Sequence, residues 1–93
     1  MPQFTTRVEL HSATDANYTE LHSAMKAKGF ARTIESGDGT SYRLPTAEYD
    51  FGGDKTRGEV LALAQKAADT TGLSYCVLVT ESNGRSWHNL KRV

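Results

Sequence analysis

The chain has 93 residues, 11 basic and 11 acidic, with a formal charge of +0 and 38% hydrophobic residues. That length makes one ordinary domain, 1–93, rather than two, near the size at which one core holds a fold with little to spare. Zero net charge argues against a protein that coats nucleic acid indiscriminately, whose footprint is a strong basic excess. No apolar run approaches the ~20 residues that span a bilayer. The N-terminal Met-Pro-Gln-Phe-Thr-Thr-Arg lacks the basic and apolar regions of a signal peptide. Cys76, the one cysteine, cannot close an internal disulfide. Set among Tyr75, Val77, Leu78 and Val79, it reads as a buried, inert thiol. These features together give the expectation of a cytoplasmic protein with no membrane association.

Phe4 to His11 alternates, with Phe4, Thr6, Val8 and Leu10 on one side and Thr5, Arg7, Glu9 and His11 on the other. That pattern predicts a half-buried strand. A helix follows, with Thr14 or Asp15 as its cap. Tyr18, Leu21 and Met25, widened by Ala24, form its apolar stripe, and Gly29 ends it. Phe30 to Glu35 alternates again, Gly37-Asp38-Gly39 is a turn, and Thr40 to Leu44 returns as the second arm of a hairpin. Pro45 makes this arm an edge, a bulge or a break, with Ala47 to Phe51 read as its continuation as far as Gly52-Gly53. Thr56 and Glu59 have the spacing of a capping box. Val60, Leu63, Ala64 and Ala67, with Leu61 and Ala68, supply the stripe of a second helix that Gly72 stops. Leu73 to Thr80 is apolar on both faces and suits an interior strand. Ser82-Asn83-Gly84 is a further turn, and Trp87 to Val93 is a short extra strand or a tail folded back on the sheet.

The order strand, helix, strand, strand, helix, strand is the split βαβ, or ferredoxin-like, arrangement. It is an α+β fold, with an antiparallel sheet and both helices on one face. The other face would carry Arg7, Glu9, Arg32 or Thr33, and Arg43, subject to register.

Few motifs carry chemistry. P-loop, dinucleotide and nucleophile-elbow patterns are missing, and no serine has an activating context. His11, His22 and His88 are scattered, with no cysteine partner and no i, i+4 pair, so no metal or other cofactor is expected. Glu9, Glu35, Glu48 and Asp50 read as solvated strand charges. His22 falls about 40° from the centre of the first helical stripe, at the border of core and water, by the ~100° step per residue. It reads either as a packed boundary histidine or as a cation or proton shuttle near neutral pH. Arg7, Arg32, Tyr42 and Arg43 come from three strands. On one open sheet face they would hold single-stranded RNA by phosphate contact and stacking. The plainer alternative is a polar face with ion pairs such as Arg7 with Glu35. Trp87 reads as a late core or dimer contact rather than a stacking platform.

Three stretches carry a resemblance: Phe4-Thr5-Thr6-Arg7-Val8-Glu9-Leu10-His11, Leu21-His22-Ser23-Ala24-Met25-Lys26-Ala27-Lys28-Gly29-Phe30, and Tyr42-Arg43-Leu44-Pro45-Thr46-Ala47-Glu48-Tyr49. With Tyr75-Cys76-Val77-Leu78-Val79-Thr80-Glu81, they resemble the GhoS family of small bacterial endoribonuclease antitoxins from type V toxin–antitoxin systems. The resemblance runs from about Phe4 to Trp87. It implies a ferredoxin-like, cytoplasmic, RNA-binding homodimer that cleaves the messenger of a small membrane toxin. Where relatives carry an arginine after the leucine of the first helix, this chain has His22. The aspartate that related metal-dependent nucleases place at the end of the first strand has no counterpart; His11 or Ser12 falls there. The implied chemistry is attack by the RNA 2′-hydroxyl on its adjacent phosphate, which needs a base and a cation. His22 or His11 would be base or acid, and Arg7, Arg32 or Arg43 would hold the phosphate. The competing expectation is a non-enzymatic module of the same fold that binds a protein partner, as a phage- or plasmid-borne inhibitor or regulator would.

Overall fold

A computed structural model describes residues 1–93. The elements are β1 (Gln3–Leu10), α1 (Asp15–Ala27), β2 (Thr33–Glu35), β3 (Ser41–Arg43), β4 (Glu48–Gly52), α2 (Arg57–Asp69) and β5 (Tyr75–Ser82). Both helices start where their side chains can satisfy free amides. Thr14 caps α1 and closes a box with Asn17, and Thr56 closes one with Glu59 at the start of α2. Neither helix is long and apolar enough to cross a membrane.

β1 lies between β4 and β5, antiparallel to both. Its alternation is the one the sequence predicts: Phe4, Thr6, Val8 and Leu10 are buried, while Arg7 and Glu9 are exposed. The buried set meets Leu21 and Met25 of α1, Val60, Ala64, Ala67 and Ala68 of α2, and Tyr49 and Phe51 of β4 in one core. Both helices therefore cover the same face of an antiparallel α+β sheet, compatible with the ferredoxin-like pattern. The opposite face is open and carries Thr5, Arg7, Glu9, Cys76 and Leu78.

Four local expectations need correction. Ala47 to Phe51 does not continue the hairpin arm. Pro45 has no amide to donate, the chain turns through Glu48 N–H to Pro45 O at 2.9 Å, and β4 pairs with β1 instead. The arm from Phe30 to Glu35 is split. Ala31 exchanges two hydrogen bonds with Asp50 at 2.8 and 2.7 Å, and the chain then leaves the main sheet to form the separate β2–β3 hairpin. β5 is an edge strand rather than an interior one, since it pairs only with β1. Cys76 is exposed, not buried, because both helices pack on the other face of the sheet: Tyr75, Val77 and Val79 turn toward the core, and Cys76 and Leu78 toward solvent. The C-terminal segment does fold back, through Arg43 N–H to Lys91 O and Val93 N–H to Ser41 O, along β3.

Candidate anion-binding site

α1 and the hairpin enclose a surface cavity of about 380 Å³ lined by His22, Ser23, Lys26, Phe30, Ala31, Arg32 and Arg43. No carboxylate lines it. Ion pairs in the molecule join Arg7 to Glu9 and Arg85 to Asp50, so Lys26, Arg32 and Arg43 have no carboxylate partner. Arg32 Nε is buried and makes no hydrogen bond. Unpaired cations at a concave surface attract an anion, and a guanidinium fork fits phosphate oxygens.

His22 follows the buried Leu21 on α1, which sets its ring at the margin of the core. Its Nδ1 lies 2.7 Å from the hydroxyl oxygen of Tyr49. Tyr49 is fully buried on β4, with its ring 5.7 Å from that of His22 and 6.4 Å from that of Phe30. Burial holds the Tyr49 phenol well above its ordinary range, so it keeps its proton. Burial first, then the charges of Arg32 and Arg43, lower the pKa of His22 below its ordinary 6.5. His22 is therefore neutral at neutral pH. With Nδ1–H donating to Tyr49, Nε2 is free to act as a base. With the phenol donating to Nδ1, Nε2–H is a donor to an anion. In both tautomers Tyr49 orients the ring.

A second cavity, of about 260 Å³, shares Arg43 and adds Lys91, Arg92 and Val93 from the returning tail. The basic surface thus continues from α1 across the hairpin to the C-terminal segment.

The residues proposed from sequence divide into groups. His22, Arg32 and Arg43 come together. Arg7 does not join them. It lies on the open face of the main sheet, half exposed, 3.9 Å from Glu9 rather than near Glu35. Tyr42 pairs with Ile34, so alternation sets it opposite Arg43, and its ring packs on Trp87 at 5.4 Å. The arginines and Tyr42 therefore form no single sheet-face groove. Asp50 is not a solvated strand charge: Arg85 binds it at 2.6 Å, with both side chains mostly buried. His11 is exposed at the end of β1, outside the cavity. It also has the cysteine neighbour that sequence spacing denied it, because Cys76 lies across the sheet with Glu9. Nothing in the sequence pattern singles out Lys26, Tyr49, Lys91 or Arg92 as site residues. The Lys91-Arg92 pair was visible as two adjacent charges, but its closeness to Arg43 depends on how the tail returns. No protein-family model matches this chain, and no curated protein matches it.

Proposed function

We propose that this chain binds single-stranded RNA by its sugar-phosphate backbone along Lys26, Arg32, Arg43, Lys91 and Arg92. We further propose that it acts as a cytoplasmic endoribonuclease antitoxin of the kind its GhoS-like stretches imply. The observation that carries this reading is the set of cations without carboxylate partners around one cavity in a chain of zero net charge. The continuation to Lys91 and Arg92 favours a polymer with successive phosphates over a single small anion. In the cleavage step, His22 Nε2 removes the 2′-hydroxyl proton and the 2′-oxygen attacks the adjacent phosphorus. The 5′-oxygen leaves, taking a proton from water, and a 2′,3′-cyclic phosphate remains. Arg32 and Arg43 stabilise the charge that grows on the phosphoryl oxygens.

The deciding experiment incubates labelled single-stranded RNA with the pure protein, with and without EDTA. Cleavage that survives EDTA and is lost in His22→Ala supports the full reading. Binding whose salt slope falls by about one for Arg32→Gln or Arg43→Gln supports backbone capture. If neither cleavage nor salt-sensitive binding is seen, the reading is abandoned.

One observation favours a second reading. The outer edge of the eight-residue β5 is unpaired, and Leu78 on it is 63% exposed. Such an edge accepts a strand from a second copy, or from a protein partner in the non-enzymatic alternative. A concentration-dependent change in mass by light scattering, abolished by Leu78→Lys, would favour it.

A further inference from the structure

The open sheet face carries a donor set that shares no residue with the anion-binding cavity. Glu9 and His11 are two residues apart at the end of β1, and Cys76 stands directly across from Glu9 in the antiparallel β1–β5 pair. The ladder continues past Leu10 through His11 N–H to Ser74 O at 2.9 Å, which keeps His11 in line with the strand. One ligand atom from each of Glu9, His11 and Cys76 falls within 4.8 Å of the other two. Glu9 divides its carboxylate: Oε1 accepts from the Cys76 thiol at 4.0 Å, and Oε2 faces Arg7 at 3.9 Å.

We propose that Glu9, His11 and Cys76 form a binding site for a divalent transition metal of the zinc class. Tetrahedral zinc with bonds of about 2.0–2.3 Å to N, O and S sets its ligands roughly 3.3–3.6 Å apart. The three atoms therefore close by little more than 1 Å, a movement that rotation of exposed side chains supplies without shifting either strand. One thiolate, one imidazole and one carboxylate make a borderline donor set that suits zinc. Magnesium and calcium take oxygen ligands and are poorly served. Arg7, drawn to Oε2, leaves Oε1 turned toward the site. The face is solvent-exposed, so water completes the coordination. The exposure of Cys76 supports the same reading, since free cysteine is among the most buried residue types.

Cobalt(II) is the spectroscopic probe, added to the reduced full-length protein. The expected result is a thiolate-to-cobalt charge-transfer band and tetrahedral ligand-field bands that saturate at one equivalent. Both are bleached by stoichiometric zinc, and zinc binding releases protons. Cys76→Ser removes the charge-transfer band, and His11→Ala and Glu9→Gln each weaken binding by about tenfold or more. Circular dichroism of the three variants verifies their fold, which the exposed side chains do not hold together. A second measurement, alkylation of Cys76, is slowed by zinc in the parent and not in His11→Ala. The proposal is overturned if no charge-transfer band forms. It is equally overturned if the band is unchanged in both His11→Ala and Glu9→Gln, or if it saturates at half an equivalent as thiolates of two chains share the metal.

Discussion

Removing the Tyr49 hydroxyl tests whether the candidate site is organised as described. Tyr49→Phe keeps a ring that packs edge-on to Phe30 and deletes only the oxygen 2.7 Å from His22 Nδ1. A neutral hydrogen bond contributes about 1 kcal/mol net. His22 borders the cavity, so water can replace the lost partner. The loss therefore stays near that value rather than reaching the ~3 kcal/mol of a stranded buried group. For a domain of this size, 1 kcal/mol lowers Tm by about 4–8 °C. Tyr49→Ala, which also removes the fully buried ring, is expected to cost about 3–5 kcal/mol. The assay is urea unfolding of the parent, Tyr49→Phe, His22→Ala and the double variant, with an expected coupling energy of about 1 kcal/mol. Imidazole nitrogen shifts read the tautomer of His22 in parallel. Parental stability of Tyr49→Phe with no coupling to His22 would refute the bond. A loss as large as that of Tyr49→Ala would show that ring packing, not the oxygen, was disturbed.

The pKa of His22 is lowered in the folded state, so the unfolded chain binds more protons below pH 6.5. The contribution of neutral His22 is complete above pH 6.5 and is lost as pH falls toward its lower folded value. Urea midpoints measured across that range should fall with pH, and the slope should flatten in His22→Gln. Thr6 is fully buried with a hydroxyl that has no partner, so Thr6→Val is expected to raise stability by about 1 kcal/mol, read as a higher urea midpoint. Arg85 donates to Thr5 Oγ1, Phe4 O and Asp50 Oδ1. Arg85→Ala should cost about 2–3 kcal/mol, and it should speed hydrogen exchange at Arg43 and Val93, whose amides hold the tail to β3. Gly29 has φ +94, and a Cβ there would meet the Phe51 ring at 3.3 Å. Gly29→Ala should therefore destabilise by about 1–2 kcal/mol in thermal unfolding.

Much of the fold was legible because the patterns involved are local. Alternation from Phe4 to Leu10 needs only the pleat of a strand with one dry face. The caps at Thr14 and Thr56 need only the free amides of a first helical turn. The candidate site was legible in part. The position of His22 beside its stripe placed it at the core margin, but its partner Tyr49 is 27 residues away on another element. Arg7, Arg32 and Arg43 look alike in sequence. They separate because Arg32 and Arg43 sit where the chain leaves the main sheet for the hairpin, whereas Arg7 stays on the central strand.

Both helix starts, the buried face of β1 and the hairpin turn follow from neighbours within a few residues, so the chain alone sets them; the expected order of six elements lacks the separate β4. Tertiary structure alone decided that β4 joins β1, that β5 is an edge, and that Cys76 faces solvent. It also decided that Lys91 and Arg92 extend a basic surface, and that Glu9, 67 residues from Cys76, shares a patch with it. Side-chain alternation states which residues share a face. Only the pairing of distant strands, set by burial of the common core, states what that face meets.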